Sequence, residues 1–314
     1  MKVSAFNPTS DIPDLAGKVI LVTGGTGGLG KESVLALAKH HPRHITFTGR
    51  NAAKAEEVIS LAQTNSSTTV SFIPCDLASL TSVKAAADTF LAKSYGRLDV
   101  LMCNAGIIDA APAVSEDGYE ITFATNHLGH ALLIRLLLPV LQKTPGCGRI
   151  VSLTSTAFRS APKAGIAFEK LNTPMSSGFA AALINYCQSK LANILYVQEL
   201  ARRYPEVTSI VVHPGSATTP MVKEMNWGTW LLIRITSPDI FLSPERGAYS
   251  QLWAATVPRD AFSNGGYYEP VGEKGKETKH MKDAELAKKL FDYTEQELQP
   301  YLRPKREDTD LQIA

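Results

Sequence analysis

The sequence predicts an α/β fold, a doubly wound parallel sheet with helices on both faces, in a single domain. Short apolar runs alternate along the chain with helical patterns of ten or more residues, as expected for successive βαβ units. Several of those runs end in glycine, asparagine or aspartate, which is typical of the ligand-binding edge of such a sheet. The first run, VILV, passes through a glycine cluster directly into a helical pattern.

The strands are predicted where β-branched and apolar residues form short runs without alternation, because a strand buried on both faces needs no polar side. They cover residues 19–22, 44–48, 69–74, 98–103, 149–154 and 207–212, with a last strand at 266–269. Helices are predicted from residue 31 and at residues 54–61, 79–92, 118–141, 185–204, 244–257 and 284–298. Residues 1–16 are expected to form an irregular leader, 17–300 the domain, and 301–314 a disordered charged tail.

The composition is that of an ordinary soluble protein. The 314 residues are 44% hydrophobic, and 32 basic and 30 acidic side chains leave a formal charge of +2. Without a basic block, nucleic acid is not expected as a partner. The four cysteines have no metal-ligand spacing, so reduced, buried thiols and no metal site are expected. With no apolar segment long enough to span a bilayer, the predicted location is cytoplasmic.

The glycine cluster has the chemistry of an anion site. Thr23, Gly24, Gly28 and Gly30 form the pattern T-G-x-x-x-G-x-G between a strand and a helix. The N–H groups of a helix N-terminus and the helix dipole together favour a pyrophosphate at that place. Glycine lets phosphate approach the backbone closely and permits positive φ. A turn with a purely structural role is the alternative.

A second pattern suits proton transfer. Tyr186 and Lys190 form Y-x-x-x-K, and a spacing of four puts both side chains on one face of a helix. A phenol with a pKa near 10 is a poor acid or base at neutral pH unless a nearby ammonium stabilises the phenolate. The pair is therefore suited to exchange a proton with a carbonyl or alcohol oxygen.

These motifs and others follow one another in the order of a known family. TGGTGGLG is followed by Asp76-Leu77, Asn104-Ala105-Gly106, a strand ending at Ser155, the Y-x-x-x-K pair and Pro214-Gly215. The chain thus resembles the short-chain dehydrogenases/reductases over about two thirds of its length, and YCQSKLANILY resembles their retinol-dehydrogenase-like subset. The resemblance implies a Rossmann fold and a nicotinamide cofactor.

The resemblance also implies roles for four residues. Tyr186 would be the general acid in reduction or the base in oxidation, and Lys190 would lower its pKa and hold the nicotinamide ribose. Ser155 would hydrogen-bond the substrate oxygen, and Asn126 would support a water-linked proton path to Lys190. Ser152, Thr154 and Thr156 are close rivals for the hydroxyl role. Ser176 and Ser177 are weaker rivals.

NADP(H) is the expected cofactor. NAD enzymes usually place an acidic residue at the end of the second strand, whereas this chain has Gly49 followed by Arg50, whose fork suits a phosphate. A solvated surface arginine is the alternative. Asp76 would meet the adenine edge, although an aspartate after a strand is also a common helix cap. The expected cofactor-binding residues are Gly24, Thr26, Gly28, Leu29, Gly30, Arg50, Asn51, Asp76, Leu77, Asn104, Ala105, Gly106, Tyr186, Lys190, Pro214, Gly215 and Thr218.

Residues 217–243 are unusually apolar, and in the resembling family this region covers the substrate. A substrate lid here would imply a lipophilic substrate; a buried helix, a homodimer surface and a peripheral membrane contact are the alternatives. The expected reaction is NADPH-dependent reduction of a hydrophobic ketone or aldehyde, or the reverse oxidation. A redox-silent sensor or scaffold and a non-redox epimerase or cyclase on the same fold are the rivals. His127, His130 and His213 are expected to be structural.

Overall fold

The computed structural model describes residues 6–93, 96–108, 113–146, 148–173, 179–216 and 242–302. Thr218, Ser176 and Ser177 lie outside the described residues, as do residues 217–241 of the predicted lid. The first five residues of the leader and residues 303–314 of the tail lie outside them too.

An eight-stranded sheet of order β3-β2-β1-β4-β5-β6-β7-β8 forms the centre of the described chain. Seven strands run parallel, and only β8 pairs antiparallel, with β7. The doubly wound fold is therefore confirmed. The strands are β1 (Val19–Thr23), β2 (His44–Gly49), β3 (Thr69–Pro74), β4 (Val100–Cys103), β5 (Arg149–Leu153), β6 (Thr208–Val212), β7 (Tyr267–Glu269) and β8 (Glu273–Lys274).

Helices cover both faces of the sheet, and β1 shows why its sequence does not alternate. Its side chains point alternately to the two faces, so Val19 and Leu21 join one apolar cluster while Ile20 and Val22 join the other. All five residues of β1 are buried. A strand with a core on each side needs apolar residues at every position, as the uninterrupted run predicts.

The helices are assigned to these two layers by their apolar residues. The first cluster packs α4 (Leu80–Lys93), α6 (Gly129–Lys143), α7 (Phe179–Arg203) and α10 (Ala284–Leu302) against the sheet. The second packs α2 (Gly28–Ala38), α3 (Ala52–Asn65) and α9 (Tyr249–Thr256). The other α-helices of the described residues are the short α1 (Pro8–Asp11), α5 (Ile121–Phe123) and α8 (Pro244–Gly247).

The strand order reverses between β1 and β4. The chain continues from β1 to β2 on one side of this point and from β4 to β5 on the other. A crevice opens outside the carboxyl ends of the strands at such a switch point. The glycine cluster follows β1 and the Asn104 turn follows β4, so the fold brings the two predicted cofactor motifs to the same crevice.

Four local expectations need correction. Residues 8–11 of the supposedly irregular leader form α1, because Asn7 caps it and Ile12 and Leu15 are buried just behind it. Helix α7 begins at Phe179 rather than at residue 185, and two 3₁₀ turns interrupt the preceding loop. The predicted helix 244–257 is divided into α8 and α9. Strand β8 was not predicted, since two charged residues carry no strand pattern.

Contrary to the expectation from the sequence, one helical segment of the described chain, Ile121–Lys143, is long and apolar enough to cross a membrane. It comprises α5, a π-helical turn (Ala124–Leu128) and α6. Within its most apolar stretch, 83% of the residues are buried inside the protein. Packing in the core therefore accounts for its apolar character.

Candidate active site

The turn after β1 is shaped for an anion. Gly24 and Gly28 adopt positive φ, +68° and +52°, which side chains other than glycine rarely adopt. A Cβ on Gly30 would overlap the carbonyl oxygen of Gly24 and lie 2.5 Å from Nδ2 of Asn104. Helix α2 begins at Gly28 behind Gly27, and no described side chain caps its first turn. Its N–H groups therefore stay available for a phosphate.

The Asn104-Ala105-Gly106 turn is fixed to the end of β1. Oγ1 of Thr23 accepts hydrogen bonds from the backbone N–H of Asn104 (2.9 Å) and of Ala105 (3.0 Å). Nδ2 of Asn104 donates to the carbonyl of Thr23 at 2.8 Å. Nε2 of His130 lies 2.8 Å from the same Oγ1, so its neutral ring completes the anchor.

Asn126 lies in the π-helical turn and is fully buried. Its Oδ1 accepts from the N–H of Ile107 (2.8 Å), while its Nδ2 donates to the carbonyl of Ile107 and to Oγ of Ser189, each at 3.0 Å. Nδ1 of His130 lies 3.1 Å from the Asn126 carbonyl, which can only accept the hydrogen bond. The amide of Asn126 therefore holds the loop after β4 against α7.

Ser155 and Tyr186 meet at the carboxyl end of β5. Ser155 follows the strand and caps a 3₁₀ turn through its Oγ, which accepts from the N–H of Ala157 at 3.2 Å. Burial raises the pKa of the Tyr186 phenol to about 12, and a hydrogen bond with the Ser155 hydroxyl lowers it in part. The net shift is upward, opposite to the lowering expected from Lys190, because burial of the ring dominates.

The rival hydroxyls next to Ser155 have other surroundings. Oγ1 of Thr154 is buried and donates to the carbonyl of Lys190 at 2.8 Å. Ser152 is buried within β5, and Thr156 begins the 3₁₀ turn. Among the candidate hydroxyls that the structure describes, Ser155 is thus the one brought to Tyr186.

Lys190 is almost wholly buried, with 4% of its surface exposed. Its Nζ donates to the carbonyl of Leu153 at 3.4 Å and lies 5.6 Å from the centre of the Tyr186 ring. Burial lowers the pKa of this ammonium to about 8. A Cβ on Gly106 would lie 3.2 Å from both the Lys190 Nζ and Oδ1 of Asn126. The turn after β4, the π-helical turn and the Y-x-x-x-K pair therefore converge on one point.

The end of β2 leaves no room for an acidic side chain in the present arrangement. A Cβ on Gly49 would lie 2.8 Å from Cγ2 and 2.9 Å from Oγ1 of Thr26. Arg50 follows and is exposed. Asn51 caps α3, since its Oδ1 accepts from the N–H of Lys54 at 2.9 Å.

After β3, Oδ1 of Asp76 accepts from the N–H of Ala78 at 3.0 Å, and Leu77 is buried. This Asp76 oxygen thus closes a turn ahead of α4, which begins at Leu80. After β6, Gly215 has φ +86°, and Ser216 accepts a hydrogen bond from the N–H of Leu242 at 2.7 Å. Pro214 and Gly215 therefore lie at the carboxyl edge of the sheet, where the chain leaves for residues 217–241 and returns.

The histidines beside the site have structural surroundings. Nδ1 of His127 lies 3.3 Å from Oδ1 of Asn193, and its Nε2 lies 3.0 Å from Oγ1 of Thr294. Burial lowers the pKa of His127 to about 3 and that of His130 to about 4. Both rings are therefore neutral at physiological pH.

One residue near the cofactor motifs was missed by reading the sequence. Gln251 of α9 is fully buried and its Nε2 donates to Oδ1 of Asn104 at 3.0 Å. The available signal was a single carboxamide in the otherwise mostly apolar stretch SQLWAA. A buried amide in such a helix needs partners, but the sequence does not say which.

The residues present fit a dinucleotide. The glycine cradle, the open N-terminus of α2 and the space that a Cβ on Gly106 would fill lie at one edge of the sheet. Six residues without polar side chains would hold it through their backbone groups: Gly24, Gly28, Leu29, Gly30, Ala105 and Gly106. Lys190 would supply a charge on the nicotinamide side.

Comparison with known proteins agrees with this geometry. Residues 18–168 match the family model of the short chain dehydrogenases. An oxidoreductase of Schizosaccharomyces pombe is 36% identical over 296 residues, covering 91% of this chain and 86% of the relative. Human retinol dehydrogenase 14 is 34% identical over 297 residues, covering 89% and 85%.

A crystal structure of a Mycobacterium paratuberculosis protein has 27% identity and a TM-score of 0.73, with 94% of this chain and 97% of that chain covered. The fold, the motif order and the relatives therefore lead to one classification. This chain is a member of the short-chain dehydrogenase/reductase family, whose enzymes are oxidoreductases that use NAD(P)(H).

Proposed function

We propose that this protein reduces an apolar ketone or aldehyde with NADPH, or catalyses the reverse oxidation, with Tyr186 as the proton donor or acceptor. The observation that carries the proposal is the meeting of Ser155, Tyr186 and Lys190 beside Gly106, at the edge where the glycine cradle opens. A chain selected only to bind a nucleotide has no need for a hydrogen-bonded phenol and hydroxyl beside a buried ammonium.

The protein's own groups favour proton donation. With a pKa raised to about 12 by burial, the Tyr186 phenol is protonated at neutral pH and can donate to a developing alkoxide. The Ser155 hydroxyl lies within hydrogen-bond reach of the phenol, so both groups can turn their hydrogens toward one substrate oxygen. A bound nicotinamide supplies or accepts the hydride.

Lys190 and Asn126 act around that proton transfer. An ammonium with a pKa of about 8 is mostly charged at pH 7, and its field stabilises the phenolate left after the proton has gone. Asn126 fixes Ile107 and Ser189, and through them the loop that faces Lys190. In this proposal, Asn126 keeps that loop in place beside Lys190 and so supports the proton path.

The preference for NADP(H) is proposed from the end of β2. An acidic residue there would accept hydrogen bonds from the ribose hydroxyls of NAD, but position 49 is a glycine, and a Cβ added there would press on Thr26. The adjacent Arg50 is exposed, and its planar fork can bind a 2′-phosphate through two parallel hydrogen bonds.

An apolar substrate is proposed from two observations. Residues 217–243 contain Met, Trp, Leu and Ile in unusual density, and their ends are joined beside the site by the Ser216–Leu242 hydrogen bond. A relative of similar length is a retinol dehydrogenase, an enzyme named for an apolar alcohol. A cytoplasmic location is proposed from the free, buried thiols of Cys75, Cys103 and Cys187. A homodimer and a peripheral membrane contact stay predictions.

The test is a fluorescence titration of the purified protein with NADPH and NADH, followed by a panel of carbonyl compounds and alcohols of graded size and polarity. The proposal expects tighter NADPH binding and turnover that increases with the apolar area of the substrate. Tight cofactor binding without turnover of any ketone, aldehyde or alcohol would refute the reductase and favour the redox-silent or non-redox reading.

A further inference from the structure

Gln251 extends from α9 to the underside of the predicted cofactor cleft. Its side chain has no exposed surface. Nε2 donates to Oγ of Ser33 at 2.7 Å and to Oδ1 of Asn104 at 3.0 Å, and it lies 3.4 Å from the carbonyl of Leu29. The first and third of these partners belong to α2, while Asn104 begins the turn after β4.

The orientation of the Gln251 amide follows from its neighbours. Ser33 uses its own hydroxyl hydrogen on the carbonyl of Leu29 at 2.8 Å, so its oxygen is an acceptor toward Gln251. Asn104 uses Nδ2 on the carbonyl of Thr23, so the atom it presents to Gln251 is Oδ1, a second acceptor. Only the NH₂ group of Gln251 can satisfy both, and a flipped amide would place an oxygen against two oxygens.

The hydrogen bonds of the Gln251 amide to Ser33 and Asn104 join the two walls between which a dinucleotide would lie. One wall is the N-terminal part of α2, whose N–H groups face the pyrophosphate position, and the other is the Asn104-Ala105-Gly106 turn. Asn104 lies so close to the cradle that a Cβ on Gly30 would press on its amide. A small displacement of Asn104 would therefore disturb the glycine cradle directly.

We propose that Gln251 is a positioning residue for the cofactor: its carboxamide fixes the Asn104 turn relative to the start of α2 and so maintains the width of the cleft. This inference rests on the proposed function, because it assumes that the cleft binds a nicotinamide dinucleotide. Gln251 contacts the walls of the cleft and has no part in proton or hydride transfer.

The first test replaces the donor by an apolar side chain of similar length, Gln251→Met. Loss of the donor leaves the buried Oδ1 of Asn104 with an unmatched lone pair, so we expect NADPH to bind about tenfold more weakly or worse. The rate at saturating NADPH is expected to change far less. The dissociation constant is measured by quenching of intrinsic fluorescence and checked by calorimetry, with thermal melting as a record of folding.

Ser250→Ala is the matched control. Ser250 precedes Gln251 on α9 and is equally buried, but its hydroxyl has no hydrogen-bond partner among the described residues. Removal of its oxygen is expected to leave NADPH affinity unchanged within about twofold, since no hydrogen bond is broken. A general weakening of α9 would instead lower the affinity of both variants.

The Gln251→Glu variant should show a pH dependence of NADPH affinity that a purely structural role of Gln251 would not produce. An ionised carboxylate has no hydrogen to donate and repels Oδ1 of Asn104, whereas the protonated acid restores one donor. NADPH affinity of this variant should therefore rise as the pH falls from 8 to 5.5, relative to the Gln251→Met variant at each pH. The methionine side chain has no proton to gain over that range.

Two results would overturn the positioning role: Gln251→Met binding NADPH as tightly as the natural chain, or Gln251→Glu following the same pH dependence as Gln251→Met. Both comparisons require that the natural chain binds NADPH. A natural chain that binds neither NADPH nor NADH would refute the proposed function, and this inference with it.

Discussion

Replacing Gly106 by alanine separates activity from stability. The backbone of Gly106 lies outside the positive-φ region, so alanine is compatible with its conformation and is expected to stiffen the unfolded chain slightly. The added Cβ, however, would lie 3.2 Å from Oδ1 of Asn126 and 3.2 Å from Nζ of Lys190. One of these two neighbours has to move by a few tenths of an ångström.

The contacts of the two neighbours decide which one moves. Asn126 is held by hydrogen bonds to the N–H and the carbonyl of Ile107 and to Ser189, at 2.8–3.0 Å. Nζ of Lys190 is at the end of a flexible side chain, and the one hydrogen bond described for it is that to the carbonyl of Leu153 at 3.4 Å. The displacement should therefore fall on the ammonium.

The size of the effect follows from that displacement. A misplacement of 1 Å at a catalytic group costs about 100-fold in rate, so a shift of a few tenths should lower kcat about three- to tenfold. The melting temperature should stay within about 2 °C, because the favourable and unfavourable effects on folding are each below about 1 kcal/mol. The assay is steady-state reduction at saturating NADPH, with thermal melting of the same samples.

A Gly106→Ala variant with unchanged kcat and unchanged NADPH affinity would refute the reasoning, because the space beside Lys190 would then not matter. A large loss of stability would refute it in another way, since it would show that the surroundings of Gly106 cannot yield. An unchanged kcat with a raised KM for NADPH would mean that the Cβ meets the cofactor instead of the ammonium.

Three further predictions concern charge and protonation. Arg50→Ala should lower the preference for NADPH over NADH about tenfold, by loss of a charge-assisted phosphate contact, and leave NADH affinity unchanged; equal weakening of both nucleotides would contradict the specificity role. Ser155→Ala should raise the pKa of the Tyr186 phenol further, so the rise of the oxidation rate with pH should move to higher pH; an unmoved profile would remove Ser155 from the proton-transfer step. His127 and His130 have folded-state pKa values of about 3 and about 4, below the unfolded value of about 6.5, so the unfolded chain binds protons first and stability falls as the pH drops below 6.5. Between pH 7 and pH 5 each should cost about 2 kcal/mol in urea unfolding, and His130→Gln should lose correspondingly less; an equal loss in that variant would show that His130 does not titrate on unfolding.

The sheet could be predicted from the sequence, and so could the motifs whose spacing follows directly from backbone geometry. The strand β1 is apolar at every position because both of its faces are covered, and the glycines follow it because the cradle needs positive φ at Gly24 and Gly28. The four-residue spacing of Tyr186 and Lys190 put both side chains on one face of α7 wherever that helix begins. These features depend on local geometry, which periodicity encodes.

Features that depend on contacts between distant segments were not predictable in this way. Gln251 follows Asn104 by 147 positions in the chain, and only the packing of α9 on the sheet brings the two amides together. The upward pKa of Tyr186 is likewise a property of burial, whereas spacing alone suggested the influence of Lys190. Asn51 and Asp76 were expected at the cofactor; within the chain, Oδ1 of Asn51 caps α3 and Oδ1 of Asp76 closes a turn before α4.

The most direct test of the account is the Tyr186→Phe variant, measured for NADPH binding and for carbonyl reduction in the same preparation. Loss of the phenol removes the only proton donor that the account assigns, so turnover should fall by at least about 1,000-fold while the NADPH dissociation constant stays within about threefold. Turnover close to that of the natural chain would contradict the assigned proton transfer, whatever the cofactor affinity proved to be.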